Sequence, residues 1–189
     1  MLDPLIEYIR HYIKLSNEAK EDLSNSFLTK TYSKDEFIHR EGHFCQFLYF
    51  ILEGTVRTFY NGNGKEVTTW IYPNHQFVTA WSSYLLGTKS FESIQSLGTV
   101  KVLCISKHKL EELYKKHNSI ETFGRKLVEE QLSSLDSYSK GYMFLTAKEK
   151  YDNLLSIFPD VNQRANLGHI ASMLGISQET LSRIRGKKN

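Results

Sequence analysis

The spacing of apolar residues changes twice along the chain. Residues 3–15 carry apolar side chains at helical spacing and predict a helix, and residues 17–28 predict a second, shorter one. From Thr31 to Ile105, short runs of β-branched and aromatic residues alternate with turn signals such as Asn61-Gly-Asn-Gly64. Helical spacing returns after Ser106. This order predicts an α+β chain in which helices flank a small antiparallel β-barrel or jelly roll.

The second helical region contains a long apolar stripe. No proline interrupts residues 107–158, and a single helix over residues 120–142 would span about 35 Å. Because that length exceeds a small barrel, we expect the stripe to pair with a second copy of itself, as in a coiled coil. Packing against its own domain is the alternative. The residues assigned to this dimer helix are Ile120, Phe123, Leu127, Gln131, Leu135 and Tyr138.

A capping box marks the start of the next helix. Thr146 and Glu149 have the spacing in which each side chain satisfies a backbone N–H of the other, and Pro159 ends the helix after Phe158. We therefore expect three parts: a barrel domain with its helical lead-in over residues 1–114, a dimerisation helix over residues 115–144, and a DNA-binding domain over residues 145–189.

The segment Leu167–Gly186, LGHIASMLGISQETLSRIRG, predicts two short helices that cross at a tight turn. Ala171 is small enough to let the second helix approach the first. Gly175 can adopt the left-handed conformation that ends the first helix. Ser177 can cap the second helix, and Glu179 lies near the positive end of its dipole. This arrangement is typical of a helix-turn-helix.

The second helix has a polar outer face and a basic end, which is what a DNA major groove admits. An ordinary helical hairpin with a solvated face is the alternative interpretation. The candidate DNA-binding residues are Ser177, Gln178, Glu179, Thr180, Ser182, Arg183, Arg185, Lys187 and Lys188.

Composition restricts the other possibilities. The net charge is only +3, so a nucleic-acid surface must be local, as the basic C-terminus is. The cysteines, Cys45 and Cys104, are too few for a zinc or iron–sulfur site within one chain and are expected to be buried. Neither a signal peptide nor an apolar run of membrane-spanning length is present, which favours a cytoplasmic protein without a membrane partner.

The order of these segments, together with LYFILEGTVRTFY and HIASMLGISQETLSRIR, resembles the Crp/Fnr family of bacterial transcription regulators over nearly the whole chain. The resemblance implies a cyclic-nucleotide-binding-like barrel, a homodimer, a C-terminal winged helix-turn-helix, double-stranded DNA as partner, and RNA polymerase as a further partner of an activator. It also implies that Glu179 accepts from a cytosine amino group and that Arg183 donates to guanine. Gln178 replaces the family's first Arg, which should change the half-site. Ser182, Arg185, Lys187 and Lys188 are then expected to contact phosphates.

The chain departs from the family at the effector site. Cyclic-nucleotide-binding members use a Glu for a ribose hydroxyl and an Arg for the cyclic phosphate, and Ala80 and Ser90 stand at those positions here. Without the Arg, the phosphate loses charge-assisted hydrogen bonds. Cyclic AMP is therefore not expected in the usual mode, and the cofactor is unknown. The candidate pocket residues are Phe77, Thr79, Ala80, Trp81, Tyr84, Ser90 and Phe91.

Two other functions compete with a DNA-binding regulator. A cupin-like metal-dependent enzyme would need a histidine cluster, and His39, Glu41 and His43 come nearest to one without matching its spacing. A stand-alone ligand-binding module would need no DNA reader. We assign no catalytic or metal-binding residue and expect no enzymatic activity.

Overall fold

The computed structural model describes residues 2–142 and 144–186. The helices of this part are α1 (Asp3–Arg10), α2 (Asn17–Ser26), α3 (Trp81–Leu86), α4 (Lys107–Lys116), α5 (Asn118–Tyr142), α6 (Ala147–Ile157), α7 (Val161–Arg164), α8 (Leu167–Leu174) and α9 (Gln178–Gly186). The strands are β1 (Leu28–Tyr32), β2 (Phe37–His39), β3 (Phe47–Glu53), β4 (Val56–Gly62), β5 (Lys65–Tyr72), β6 (Phe77–Val78), β7 (Ser93–Ser96) and β8 (Val100–Ser106).

The strands form two four-stranded antiparallel sheets, in the orders β1-β8-β3-β6 and β2-β7-β4-β5. The predicted turn between β4 and β5 is confirmed. Asn63 and Gly64 have φ of 53° and 77°, and Gly62 pairs with Lys65 on either side of them. Positive φ at both central residues makes this a two-residue hairpin of the type whose twist matches the flanking strands.

Strand β3 is buried on both faces and so joins two apolar cores. Leu48 and Phe50 point toward the flanking helices, where they pack with Leu5 of α1 and Ile120 of α5. Tyr49, which alternates with them, points into the interior between the sheets. Both cysteines are buried in that interior, as predicted. The helical lead-in therefore covers one sheet, and this leaves the other sheet available to the C-terminal helices.

Helix α5 is divided between two environments. Ile120, Phe123 and Leu127 are buried in the core of their own domain, so they have no surface left for a second copy. The assignment of these three residues to a dimer seam is therefore corrected. They pack within their own domain, which was the alternative interpretation. Beyond them, α5 leaves the barrel, and Leu132 and Leu135 are 65% and 63% exposed.

The part of the chain described after α5 is entirely helical. The predicted capping box is present, with Thr146 Oγ1 accepting from the backbone N–H of Glu149 and the Glu149 carboxylate accepting from the N–H of Thr146. No wing strand is found among residues 144–186, and the short helix α7 connects α6 to α8 instead. The predicted domain boundary after residue 114 falls inside α4, whereas the one after residue 144 falls between α5 and α6.

The C-terminal helices dock on β5, the edge strand of the second sheet. Ile71 of β5 lies in the apolar cluster that α6, α8 and α9 form, and the Thr68 N–H donates to Ser172 Oγ of α8 at 3.0 Å. Helix α8 therefore covers a strand edge that would otherwise present unpaired backbone groups. In the described part of the chain, no helix has the length and apolar character of a membrane span.

Candidate nucleic-acid interface and effector site

The turn between α8 and α9 has the geometry that the sequence predicts. Gly175 ends α8 in the left-handed region, with φ of 66°. Ser177 Oγ accepts from the N–H of Thr180 at 3.2 Å and so caps α9. Ala171 and Leu181 are buried where the two helices cross. The helix-turn-helix packing is thus confirmed in its apolar half.

The outer face of α9 consists of polar residues. Gln178, Glu179, Ser182, Arg183 and Arg185 are exposed, as is Ser177 in the turn before the helix. Thr180 is half-buried, and its Oγ1 accepts from Arg183 Nη2 at 3.3 Å. Lys187 and Lys188 lie outside the described residues. Every predicted DNA-contact residue that is described, apart from Thr180, is therefore accessible on one ridge.

The ridge carries charges of both signs. Hydrogen bonds from its own backbone N–H and from Ser177 lower the pKa of Glu179, and the Arg183 guanidinium adds to this effect. A carboxylate at the start of α9 is also favoured by the helix dipole. Glu179 is thus ionised at neutral pH and can accept a hydrogen bond, while Arg183, one turn later, can donate two.

The predicted effector-pocket residues do not line one pocket. Phe77 and Tyr84 are buried toward the helices, Ala80 is buried in the barrel interior, and Phe91 is 61% exposed, with its ring against that of Tyr60. Two of the remaining residues form hydrogen bonds with nearby backbone: Thr79 Oγ1 donates to the carbonyl of Phe47, and Ser90 Oγ donates to that of Glu92. Trp81 is half-buried. The fold therefore divides these residues between the helix-side core, the barrel interior and the surface, because strand alternation and the short helix α3 send neighbouring residues to different faces.

The residues considered for a cupin-type metal site do not converge. Strand β2 ends at His39, so Glu41 and His43 do not continue its face, and both are exposed. The described residues contain one cluster with metal-ligand geometry, formed by Glu18, Asp22 and His117. There Lys116 Nζ lies 2.7 Å from Asp22 Oδ2 and 3.0 Å from Glu18 Oε1. The lysine ammonium therefore already pairs with both carboxylates and lies where a metal ion would bind.

A different set of side chains meets at the opening of the barrel, and we call it the polar ring. Its members come from β2, β4, β5, α3 and the residue before β7. They are His39, Thr58, Thr69, Tyr72, Trp81 and Glu92.

Thr58 Oγ1 lies 2.7 Å from Thr69 Oγ1, and Thr69 Oγ1 donates to Glu92 Oε2 at 3.4 Å. The Tyr72 hydroxyl lies beside Thr58 and Trp81. The register places these side chains on the inner face, because Thr58 and His39 both pair with the buried Ile94.

The two ionisable groups of the polar ring are perturbed by burial. Desolvation lowers the pKa of His39, and desolvation raises the pKa of Glu92. Each group partly offsets the shift of the other through its charge. His39 Nε2 is buried without a hydrogen-bond partner among the described residues. The sequence analysis named Trp81 as a pocket candidate but did not single out Thr58, Thr69, Tyr72 or Glu92, although Thr58 alternates with the buried Val56.

Comparisons with known proteins agree with this architecture. The profile of the family described as "Cyclic nucleotide-binding domain" matches residues 29–117, which include the barrel. No curated protein matches the sequence at a significant level.

Several solved structures share the fold over most of the chain. The catabolite activator protein of Thermus thermophilus is 18% identical, covers 95% of this chain and 85% of its own, and has a TM-score of 0.61. The c-di-GMP-responsive global regulator CLP of Xanthomonas campestris is 15% identical over 91% of each chain, with a TM-score of 0.64. A protein from Eubacterium rectale assigned to the Crp/Fnr family of transcriptional regulators is 18% identical, covers 90% of this chain and 82% of its own, and has a TM-score of 0.67.

These comparisons extend past the barrel to the long helix and to the C-terminal helices, because the shared region covers nine-tenths of the chain or more in all three. Along this chain the barrel is followed by the long helix and then by the C-terminal helices. Residues 29–117 therefore match the profile of the cyclic nucleotide-binding domain family, and the chain as a whole shares its fold with solved Crp/Fnr-type structures.

Proposed function

We propose that this chain is a dimeric, sequence-specific DNA-binding transcription regulator whose barrel senses an effector. The observation that carries the proposal is α9: its buried side fixes it across α8, and its polar side is free along one ridge. A helix held in this way can lie in a major groove with its N-terminal residues against base edges.

Within this proposal, Glu179 and Arg183 read bases and the other exposed polar residues position the protein on the backbone. Glu179 accepts from a cytosine amino group, and Arg183 donates to O6 and N7 of a guanine. Gln178 stands beside Gly168, with its Nε2 3.0 Å from the position that a Cβ at Gly168 would occupy. Gln178 therefore lies next to the start of the first helix, and being shorter than an Arg it reaches less far toward DNA.

The second half of α5 supports the proposed dimer. Val128, Leu132 and Leu135 are exposed apolar residues at spacings of four and three, which places them on one face of the helix. Tyr138 continues that direction and packs edge-on against Trp70 of β5. A second copy would cover this face and bring two α9 helices to two half-sites about one helical turn apart.

Selection of bound duplexes from a random oligonucleotide pool at low salt tests the proposal directly, with the mass of the complex measured by analytical ultracentrifugation. We expect an enriched two-fold symmetric sequence bound by two chains, and an affinity that falls steeply with salt. A monomer that enriches no sequence would overturn the proposal.

Cyclic AMP is not proposed as the effector. Ala80 is buried in the apolar interior and Ser90 is committed to a local turn, so neither supplies the carboxylate or the cation that a cyclic nucleotide needs. Isothermal titration should detect no micromolar binding of cyclic AMP, and the DNA affinity should not respond to it.

A further inference from the structure

We propose that the polar ring at the opening of the barrel binds a small ligand that carries a cationic nitrogen, an ammonium or an amidinium, and rejects phosphate esters. This inference rests on the proposed role of the barrel as an effector domain and assigns the chemical class of the effector.

The hydrogen bonds within the polar ring run toward Glu92. Thr69 donates its hydroxyl proton to Glu92 Oε2, and the Thr58 hydroxyl lies 2.7 Å from that of Thr69, a contact in which either hydroxyl can be the donor. The two threonine hydroxyls therefore connect the strands to the carboxylate. Glu92 is the acceptor at which this network ends.

Two groups in the ring have unused hydrogen-bonding capacity. The Glu92 carboxylate offers about four lone-pair positions, and its hydrogen bond from Thr69 is long at 3.4 Å. His39 Nε2 is buried and has no partner among the described residues. Buried polar groups are normally paired, and the exceptions mark positions that a ligand or an ordered water completes.

The charge of the site selects the ligand. Burial raises the pKa of Glu92 and lowers that of His39, so His39 is a weak cationic partner, and an added cation would favour the ionised form of the carboxylate. An ammonium or amidinium would supply both the missing charge and the missing donors. A phosphate would face a like charge without a compensating cation.

The surroundings combine partly exposed polar groups with a buried apolar floor. His39, Thr69, Tyr72, Trp81 and Glu92 are all half-buried, so the ring is reachable from outside. Behind it lie Ile38, Ala80 and Ile94, which are buried and apolar. An apolar floor with a few convergent polar groups is the usual composition of a ligand site, and the aromatic side chains of Tyr72 and Trp81 can also attract a cation.

The same strand that lines the site also holds the DNA reader. Thr69 and Tyr72 of β5 belong to the ring, while the backbone N–H of Thr68 and the side chain of Ile71 contact the C-terminal helices. A ligand that draws Thr69 and Tyr72 together moves the strand on which α8 rests. We therefore expect ligand binding to change the affinity for DNA.

Three probes of nearly identical shape test the charge preference: benzylamine, benzyl alcohol and benzoate. Their binding to the full-length protein is measured by isothermal titration in the absence of DNA. We expect benzylamine to bind roughly tenfold more tightly than benzyl alcohol, and benzoate to bind least. In Glu92→Gln, which keeps an oxygen for Thr69 but loses the charge, benzylamine should weaken to the level of benzyl alcohol. Glu41→Gln, a change of an exposed carboxylate near the same loop, should leave all three affinities unchanged.

The inference is overturned if the wild-type protein shows no saturable binding of benzylamine, if benzoate binds as tightly as benzylamine, or if Glu92→Gln retains the preference. Because these titrations contain no DNA, their outcome is separate from that of the proposed function. Benzylamine binding through Glu92 in a protein that selects no duplex would uphold the site and refute the regulator.

Discussion

At the scale of single residues, Gly54 is constrained by both its backbone and its surroundings. Its φ of 95° lies in the left-handed region, and a Cβ there would be 2.6 Å from the carbonyl oxygen of Thr99. Gly42 has a similar φ of 80°, but a Cβ at Gly42 would have no atom within 4 Å. Comparing substitutions at the two positions therefore distinguishes the cost of backbone strain from the cost of a steric clash.

We expect Gly54→Ala to destabilise the protein by more than about 2 kcal/mol, because strain and overpacking add. Gly42→Ala should cost only the strain, of order 1 kcal/mol. Urea unfolding of the two variants measures the difference. Equal losses at the two positions would mean that the turn containing Thr99, just before β8, yields to the new methyl group.

Arg183 and Arg185 should fail in different ways when each is replaced by alanine. Both are exposed near the end of α9, but the proposal gives only Arg183 a base to read. Arg183→Ala should reduce discrimination at one base pair by roughly 1–3 kcal/mol. Arg185→Ala should weaken binding to all sequences alike and lower the salt dependence by about one phosphate contact. Binding of a set of single-base operator variants, titrated at several salt concentrations, separates the two patterns.

At the scale of elements, the contact between α8 and β5 buries a titratable group. His169 of α8 has a pKa lowered to about 4, first by burial and then by the positive charge of Arg57, with Glu66 and Asp35 acting in the opposite direction. Arg57 is itself buried, where its Nη2 lies 2.5 Å from Glu66 Oε2 and 2.7 Å from Gln95 Oε1. A second positive charge at this interface is therefore unfavourable.

This gives the interface a pH dependence of definite sign. Because the folded-state pKa of His169 lies below its ordinary value of 6.5, the unfolded chain binds the proton first as the pH falls. The contribution of His169 to the free energy of unfolding is thus complete above about pH 6.5, falls between pH 6.5 and 4, and levels off below that.

His169→Gln should remove this part of the acid sensitivity. Between pH 6.5 and 4, the free energy of unfolding should therefore fall less steeply in the variant than in the wild type, whereas above pH 6.5 the two curves should run parallel. Denaturant unfolding at each pH measures it, with His43→Gln, an exposed histidine, as the matched control. Parallel curves for wild type and His169→Gln below pH 6.5 as well would show that the folded interface accepts the proton.

At the scale of the whole molecule, the exposed end of α5 determines whether the chain acts as one copy or two. Leu132 and Leu135 lie on one face, and Ser137 lies on the opposite face and is also exposed. In the single chain, Leu132 and Leu135 are exposed to water, whereas the first half of the same helix is buried. A second copy is the proposed cover.

The double variant Leu132→Asp, Leu135→Asp should be monomeric, because it places charges in the proposed seam. Its operator affinity should fall by roughly a hundredfold or more, since two linked half-sites become one. Sedimentation and operator binding measure both effects, and Ser137→Asp should change neither. A double variant that still sediments as a dimer would place the interface elsewhere.

Much of this architecture was predictable from local chemistry. The turn at Asn63 and Gly64 follows from the backbone freedom of those residue types, and the cap at Ser177 follows from a hydroxyl placed before a helix. The candidate reader was predictable for the same reason. Its residues are consecutive on one short helix, so that their spacing alone fixes which of them point outward.

The effector site was not predictable in this way. The polar ring takes its members from residue 39 to residue 92, and a local alignment selected Phe77, Tyr84 and Phe91, which the fold sends to other faces. The register of four strands and the bulge between Thr58 and Phe59 decide which hydroxyls meet Glu92. A shift of one residue in any strand would reverse the inward and outward positions.

The sequence by itself determined the order of the elements, their caps and turns, and the polar ridge on α9, because each depends on residues within a few positions of one another. Only the tertiary structure decided that α5 divides between core and solvent, that α8 rests on β5, and that Glu92 lies beside Thr69 of another strand. Those outcomes depend on which distant surfaces come together and exclude water, and periodicity along one segment carries no information about its partner.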